Sequence, residues 1–398
     1  MNSLKENPFK EDMTSSFVYV SSGKGPYENT KTALSKINIK KAAGKRVLLK
    51  PNAGRVSPEG SGTNTNPHVV AAAIDAFREA GAEVAIGESP IFGVKTMEAF
   101  EVSGIAAIAN ERNCPLIDMD KRPSVTMNIE EGIAIQTIKV CSEVLEYDII
   151  VSIPVMKTHM HTGVTLSVKN MKGCLWRKTK TDLHMLPKVE NNDDLSLNIA
   201  IADMSSVLVP HLTIIDGTVG MEGLGPSAGN PKKLDMVLTG IDPFEADAVA
   251  CRLMGLNAEK IPHLRIAAER GYGIIDVSQI QVKPDSWENL ISPFETPPEN
   301  LSIHFPGVTI LDEQSCSACQ STVLMFLKRY GEKIFDYFPD KKNVVLAIGK
   351  GHESVPEETI CIGNCTSNHK DKCIFVSGCP PVASQILKAI TGEESGDS

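Results

Sequence analysis

No apolar run in this 398-residue chain approaches the roughly 20 residues that a helical membrane span requires. Met1 to Ser16 hold no apolar core flanked by positive charge, so they are not expected to act as a secretory signal and read as a disordered lead-in (1–16). Positive charge is not in excess: 40 Lys and Arg stand against 49 Asp and Glu, for a net charge of −9. The nucleic-acid backbone repels such a surface unless a basic patch is segregated, which argues against nucleic acid as a main partner. There is no internal repeat and no low-complexity tract. The glycine-rich stretch 217–229 lacks the Lys-Ser/Thr ending of a phosphate-binding P-loop. A disulfide framework is also unexpected, because such frameworks belong to small secreted chains. Many thiols without an export signal point to a reducing cytoplasm.

What is present in unusual density is cysteine near the C-terminus. Six of the ten lie there: Cys316 and Cys319 in Cys-Ser-Ala-Cys, Cys361 and Cys365 in Cys-Ile-Gly-Asn-Cys, Cys373, and Cys379 in Gly-Cys-Pro-Pro. Thiolates at these spacings turn toward one metal centre without straining the backbone. A proline directly after a ligand cysteine recurs in iron–sulfur proteins. The expected cofactor is therefore one [4Fe–4S] cluster on Cys316, Cys319, Cys365 and Cys379. Tetrahedral zinc uses the same thiolates and stays open as an alternative, as does the absence of any metal. Cys361 and Cys373 fall within or at the start of strands and rank lower as ligands. Cys114, Cys141, Cys174 and Cys251 are scattered and read as buried thiols.

Apolar β-branched runs alternate with helical patterns. Strands are expected at 46–50, 83–88, 148–154, 212–216 and 234–239, and helices at 67–80, 96–110 (broken at Gly104) and 242–254. Asp242-Pro-Phe-Glu supplies an acidic N-cap, Pro at N1 and Glu at N3. This βαβ rhythm predicts an α/β domain over 17–282 with a mostly parallel sheet flanked by helices. Residues 283–302, rich in Pro, Glu, Asn and Ser, read as a linker or outlying loop. The rhythm then restarts, with strands at 308–311, 343–348, 359–362 and 374–377 and helices at 322–330 and 382–390. That predicts a smaller C-terminal α/β domain (303–391) carrying the cysteine cluster. Residues 392–398 read as a disordered tail.

Several strands of the large domain end in charged or amide groups. The first ends in Lys50-Pro51-Asn52, and the next set gives Lys157-Thr158-His159 and Lys169-Asn170. In open α/β sheets ligands collect at the carboxyl ends of strands. Lys50 and Lys169 would draw a small anion, with Asn52 and Asn170 orienting it by hydrogen bonds. Lys157 and His159 are the candidate catalytic pair, His159 being the proton-transfer group suited to neutral pH. Asp216, Asp242 and Asp247 could hold a further divalent cation or balance the lysines. The stretch 217–229 could offer amides to an anion or act as a lid. His161 and His211 read as structural.

At these residues the chain resembles the domain-of-unknown-function family 362. The matching pieces are KPN at 50–52, TNP at 65–67, GES at 87–89, PVMKTH at 154–159, VTLSVKNMKG at 164–173, DGTVGMEGLGPSAG at 216–229 and DPFEADAVACRLMG at 242–255. The resemblance implies an α/β domain often found with iron–sulfur ligand motifs, and it implies no settled reaction. The chain departs from relatives carrying a ferredoxin-like insert of repeated C-x2-C-x2-C motifs, so one cluster is expected and not two.

The leading expectation is an iron–sulfur redox enzyme acting on a small anionic molecule, with an electron-transfer partner. A non-redox isomerase or lyase with a structural cluster, and a metal or cluster carrier without turnover, are the alternatives. Oligomeric state is not legible.

Overall fold

The computed structural model describes residues 3–10, 17–297 and 305–392, and the chain forms two compact units, Met1–Pro298 and Glu299–Ser398. The first unit is built on a ten-stranded sheet. In chain order its strands are β1 (Phe17–Ser22), β2 (Arg46–Pro51), β3 (Glu83–Glu88) and β4 (Leu116–Asp118). A separate antiparallel hairpin follows, β5 (Ser124–Asn128) and β6 (Thr137–Cys141). The sheet resumes with β7 (Ile149–Ile153), β8 (Val155–His159), β9 (Gly163–Thr165), β10 (Leu212–Glu222), β11 (Asn230–Gly240) and β12 (Gln281–Lys283). The spatial order is β12-β1-β11-β10-β7-β2-β3-β4, with β8 on β10 and β9 on β8. The heart of the sheet, from β10 through β7, β2 and β3 to β4, is parallel.

Alternate residues of these central strands enter opposite cores. Val47, Leu49, Val84, Ile86, Ile149 and Val151 join one apolar cluster, while Leu48, Ala85 and Ile150 join the other. Both faces must then be covered, as parallel sheets require. Helices Pro67–Glu79 and Ile105–Glu111 contribute to one layer, and Ser196–Ser205, Pro243–Leu253 and Pro262–Glu269 to the other. Gly104 separates two helices as expected, in a left-handed conformation at φ 80°.

The second unit has four parallel strands, β13 (Val308–Asp312), β14 (Val344–Ile348), β15 (Ile360–Ile362) and β16 (Ile374–Val376), in that spatial order. Helices Ser317–Tyr330 and Ala383–Thr391 supply Val323, Phe326, Leu327 and Ile386 to its core.

Two stretches expected to be loose are packed. In the lead-in, Phe9 is buried, and Asn7 Nδ2 donates to the His211 carbonyl at 2.8 Å. In the Pro-rich stretch, Trp287 and Phe294 are buried in the first unit's core, anchoring residues 283–297. Residues 1–2, 11–16, 298–302 and 393–398 of the expected lead-in, linker and tail lie outside the described residues. The stretch 217–229 is half strand: β10 runs on to Glu222 because β11 and β8 pair with it, so a lid reading does not hold for that half.

Candidate functional site

From β2 the chain moves outward through β3 and β4, then returns to lay β7 on the other side of β2. This reversal makes a topological switch point at the carboxyl ends of β2 and β7, the place where open α/β sheets bind ligands. Lys50 lies opposite Ser152 there. Lys50 Nζ donates to Glu88 Oε2 at 2.8 Å, to the Pro51 carbonyl at 2.8 Å and to Asn170 Oδ1 at 3.2 Å. Asn170 Oδ1 also accepts from Asn52 Nδ2 at 3.0 Å, and Asn52 Oδ1 accepts from Lys157 Nζ at 2.7 Å. Lys157 Nζ makes a second bond, to the Thr63 carbonyl at 2.6 Å. Lys50, Asn52, Lys157 and Asn170 therefore form one hydrogen-bonded chain across two strands and a helix.

Local structure aims these groups. The short helix Ser167–Asn170 is held by Asp247, whose carboxylate accepts from the Ser167 and Val168 amides at 2.7 and 2.9 Å. Burial pushes the Asp247 carboxyl up to about 8. Asn66 caps its helix by accepting from the His68 amide, while its own amide donates to Asp216 at 2.7 Å. Asp242 caps helix Pro243–Leu253. The three aspartates are thus committed to separate backbone amides and are not gathered round a cation.

Lysine protonation is strongly opposed here. Burial first, then the nearby charges of Lys169, Arg55 and Lys50, pull Lys157 down to about 7, with Glu88 opposing. Burial alone pulls Lys169 to about 7, and Lys172 lies well below its usual range through burial, Lys169 and Lys180. His159 is held well below its ordinary value by burial and by Lys169, His161, His184 and Lys172. Its Nδ1 accepts the His161 backbone N–H at 3.1 Å, so the neutral ring carries its proton on Nε2. His159 is thereby a hydrogen-bond donor at neutral pH. His211, as anticipated, is structural: its Nδ1 accepts from the Ile150 amide.

The unfolded chain keeps Lys157 protonated to about pH 10, while the folded chain releases that proton through about pH 7. Stability rises with pH wherever the unfolded state holds more protons, so above pH 7 the cost of burying this lysine falls by up to about 1.4 kcal/mol per pH unit. Lys157→Met lacks the term. The melting-temperature advantage of that variant over wild type should narrow as pH rises from 7 to 8.5. A difference that is flat with pH would show that the Lys157 proton is not linked to folding.

In the second unit the strand ends deliver the cysteines. Cys316 is the N-cap of helix Ser317–Tyr330 after β13, and Cys319 lies in its first turn. Cys365 follows β15 and Cys379 follows β16. Cys319 hydrogen-bonds Cys316, and with burial and the nearby Cys365 and Cys379 this pushes its thiol far up. Cys316 moves down to about 6, because the Cys319 thiol and the amides of its own helix turn stabilise its thiolate. The loops are tied together: the Gly363 amide donates to the Val376 carbonyl at 2.9 Å, and the Gly378 amide to Asn364 Oδ1 at 2.9 Å. A Cβ at Gly363 (φ 94°) would stand 3.2 Å from Cys319 Sγ, so glycine leaves the cradle open. Cys361 instead pairs with Cys373. Among the described residues no three His, Cys, Asp or Glu side chains stand at metal-holding distances. The four thiols are neighbours and not a closed shell. Cys114, Cys141, Cys174 and Cys251 are buried as expected.

The family model for Domain of unknown function (DUF362) matches residues 47–252, more than half of the chain. The chain belongs to the DUF362 family. The thylakoid-associated protein sll1697 of Synechocystis sp. (strain ATCC 27184 / PCC 6803 / Kazusa) is 28% identical over 231 residues, which is 58% of this chain and 69% of that protein. The structure of the lactate racemase apoprotein from Thermoanaerobacterium thermosaccharolyticum aligns with 98% of this chain and 83% of its own, at a TM-score of 0.41 and 12% identity. No helix among the described residues is long and apolar enough to cross a membrane.

The DUF362 motifs interlock in space. The Asn52 amide donates to Thr65 Oγ1 at 2.7 Å, joining KPN to TNP, and the Asn66 bond to Asp216 joins TNP to the DG piece. Thr158 Oγ1 donates to the Gly223 carbonyl at 2.9 Å, joining PVMKTH to the glycine-rich piece. The sequence reading did not assign roles to Glu88, Arg55, Lys172 or His184. Glu88 carried a usable signal, a carboxylate closing a buried strand next to one closed by lysine. Arg55 and His184 sit in irregular segments that gave none.

Proposed function

We propose that this protein is an iron–sulfur redox protein of a reducing cytoplasm that acts on a small anion. The convergence of Cys316, Cys319, Cys365 and Cys379 carries the reading. These four would hold one [4Fe–4S] cluster, which when bound supplies one-electron chemistry and calls for an electron-transfer partner. In the DUF362 region, Lys50, Lys169, Asn52 and Asn170 would fix the anion. His159 would donate a hydrogen bond through Nε2. Lys157, with two of its protons held by Asn52 and Thr63, would accept a proton from the substrate.

Protein prepared without oxygen should be brown and hold about four irons and four sulfides per chain. A colourless protein with stoichiometric zinc would sink the iron reading. The near-neutral amine of Lys157 beside a neutral His159 also suits a proton-moving isomerase or lyase in which the cluster is structural. A redox titration separates the two: a cluster that changes state reversibly supports the redox reading, and one that does not supports the other.

A further inference from the structure

We infer that the lysine cluster of the DUF362 region takes a compact dianion, a doubly charged oxyanion or a dicarboxylate, and takes up a proton as it does so. This rests on the anion-binding part of the reading above and adds the ligand's charge and its linkage to pH.

Buried charge in this region does not balance. Lys50 is neutralised by Glu88 at 2.8 Å, and Lys180 by Asp120 at 3.2 Å. Four further cations crowd the same region. Lys157 donates only to the neutral oxygens of Asn52 and Thr63, Lys169 only to Thr165 Oγ1 at 3.4 Å, and Lys172 contacts His184 Nε2. Arg55 is the fourth. Among the described residues none of these four forms an ion pair with a carboxylate. A removed counter-charge leaves a buried ion strongly unfavourable, by several kcal/mol. Arginine keeps its charge at neutral pH, so the lysines relieve the repulsion by giving up protons.

The groups that face this space come from every surrounding element. Lys50 and Glu88 project from β2 and β3, Arg55 from the segment after β2, and His159 from β8. Lys169 stands on helix Ser167–Asn170, with Lys172 just beyond it and His184 on the turn Leu183–Met185. His263, fully buried on helix Pro262–Glu269, also feels Lys169. The nearby carboxylates are already engaged: Glu88 by Lys50, Asp120 by Lys180, and Asp247 by the Ser167 and Val168 amides. One monoanion would offset Arg55 and leave the lysines neutral. A dianion offsets Arg55 and leaves one further negative charge, which makes it favourable for Lys157 and Lys169 to regain one proton between them and so to supply a charge-assisted donor. Arg55, Lys169 and Lys172 are only half-buried, which gives the ligand its way in.

Calorimetry on the full chain, prepared without oxygen, tests this with sulfate, malonate and acetate between pH 6.5 and 8.5. Sulfate and malonate stay doubly charged over that range. In two buffers of different ionisation enthalpy, binding of the better dianion should take up close to one proton at pH 8, shared between the two lysines. Its affinity should fall by about tenfold or more from pH 7 to 8.5, and acetate should bind at least about tenfold more weakly. Preference for sulfate assigns an oxyanion, and preference for malonate a dicarboxylate. Lys169→Arg should bind with about one proton fewer taken up, since its charge no longer titrates near pH 7. Lys169→Met should bind at least about tenfold more weakly. Acetate binding as tightly as the dianions, or dianion binding without proton uptake, overturns the inference and leaves the anion site standing. If none of the three binds at any pH, the anion site falls with it. The iron content is a separate readout that neither result touches.

Discussion

Replacing Cys379 by Ala should cut the iron of protein prepared without oxygen from about four atoms per chain to less than one. Cys379 emerges after β16 into the space where Cys319 hydrogen-bonds Cys316 and meets Cys365. Alanine offers no donor, and a cluster left with three thiolates exposes one iron to water and is lost on handling. Two controls make the result specific. Cys114 lies in the first unit, its thiol donating to the Val84 carbonyl at 3.4 Å, so Cys114→Ala should keep its iron. Cys361 is buried within β15 and pairs with Cys373, so Cys361→Ala should also keep it. Equal loss in Cys361→Ala and Cys379→Ala would reassign the ligand set.

Glu88→Ala should lower the stability of the first unit by about 3–5 kcal/mol. The Glu88 and Lys50 side chains are both almost wholly buried, and among the described residues Lys50 has no other anion. Glu88 also accepts from the Ala53 amide at 3.0 Å and the Ser89 amide at 2.9 Å, so its loss strands two backbone donors with the lysine. Urea midpoints measure the effect. Pairing the change with Lys50→Met should recover much of it, because the stranded charge then disappears. A single-variant loss under about 1 kcal/mol would mean that water reaches Lys50. The same pair explains Gly173: a Cβ there would lie 2.5 Å from Glu88 Oε1 and 2.6 Å from Lys50 Nζ.

The parts of this fold legible in sequence were those where local pattern and tertiary role agree. Runs such as 46–50 and 83–88 are apolar on both faces because helices cover both, and Asp242-Pro carries its cap on its face. Strand β10 beyond Asp216 was not legible, since its glycines favour a turn and only pairing with β11 and β8 makes it a strand. The Pro-rich stretch misled in the opposite sense, through two aromatic anchors, Trp287 and Phe294, that composition averages away. In the site, the lysines and amides were recognisable as strand-end polar groups. The tautomer of His159 was not, because it depends on where the His161 amide points. Nor was the Lys50–Glu88 pair, which needs β2 and β3 side by side.

The order of β13, β14, β15 and β16 has a consequence for assembly. Cysteines strung along one short loop can seize a metal from a chain that has not yet folded. Here Cys316, Cys365 and Cys379 are brought together only by non-local parallel pairing, with the segment bearing β14 closed between the first two. Such long-range closure is slow, and the contacts that reward it are the apolar ones beneath, among them Val323, Leu346, Ile360 and Val376. The sheet must therefore form before the four sulfurs can meet, so under the proposed cluster reading loading would follow folding, and a lesion in that small core would appear first as a failure to acquire metal.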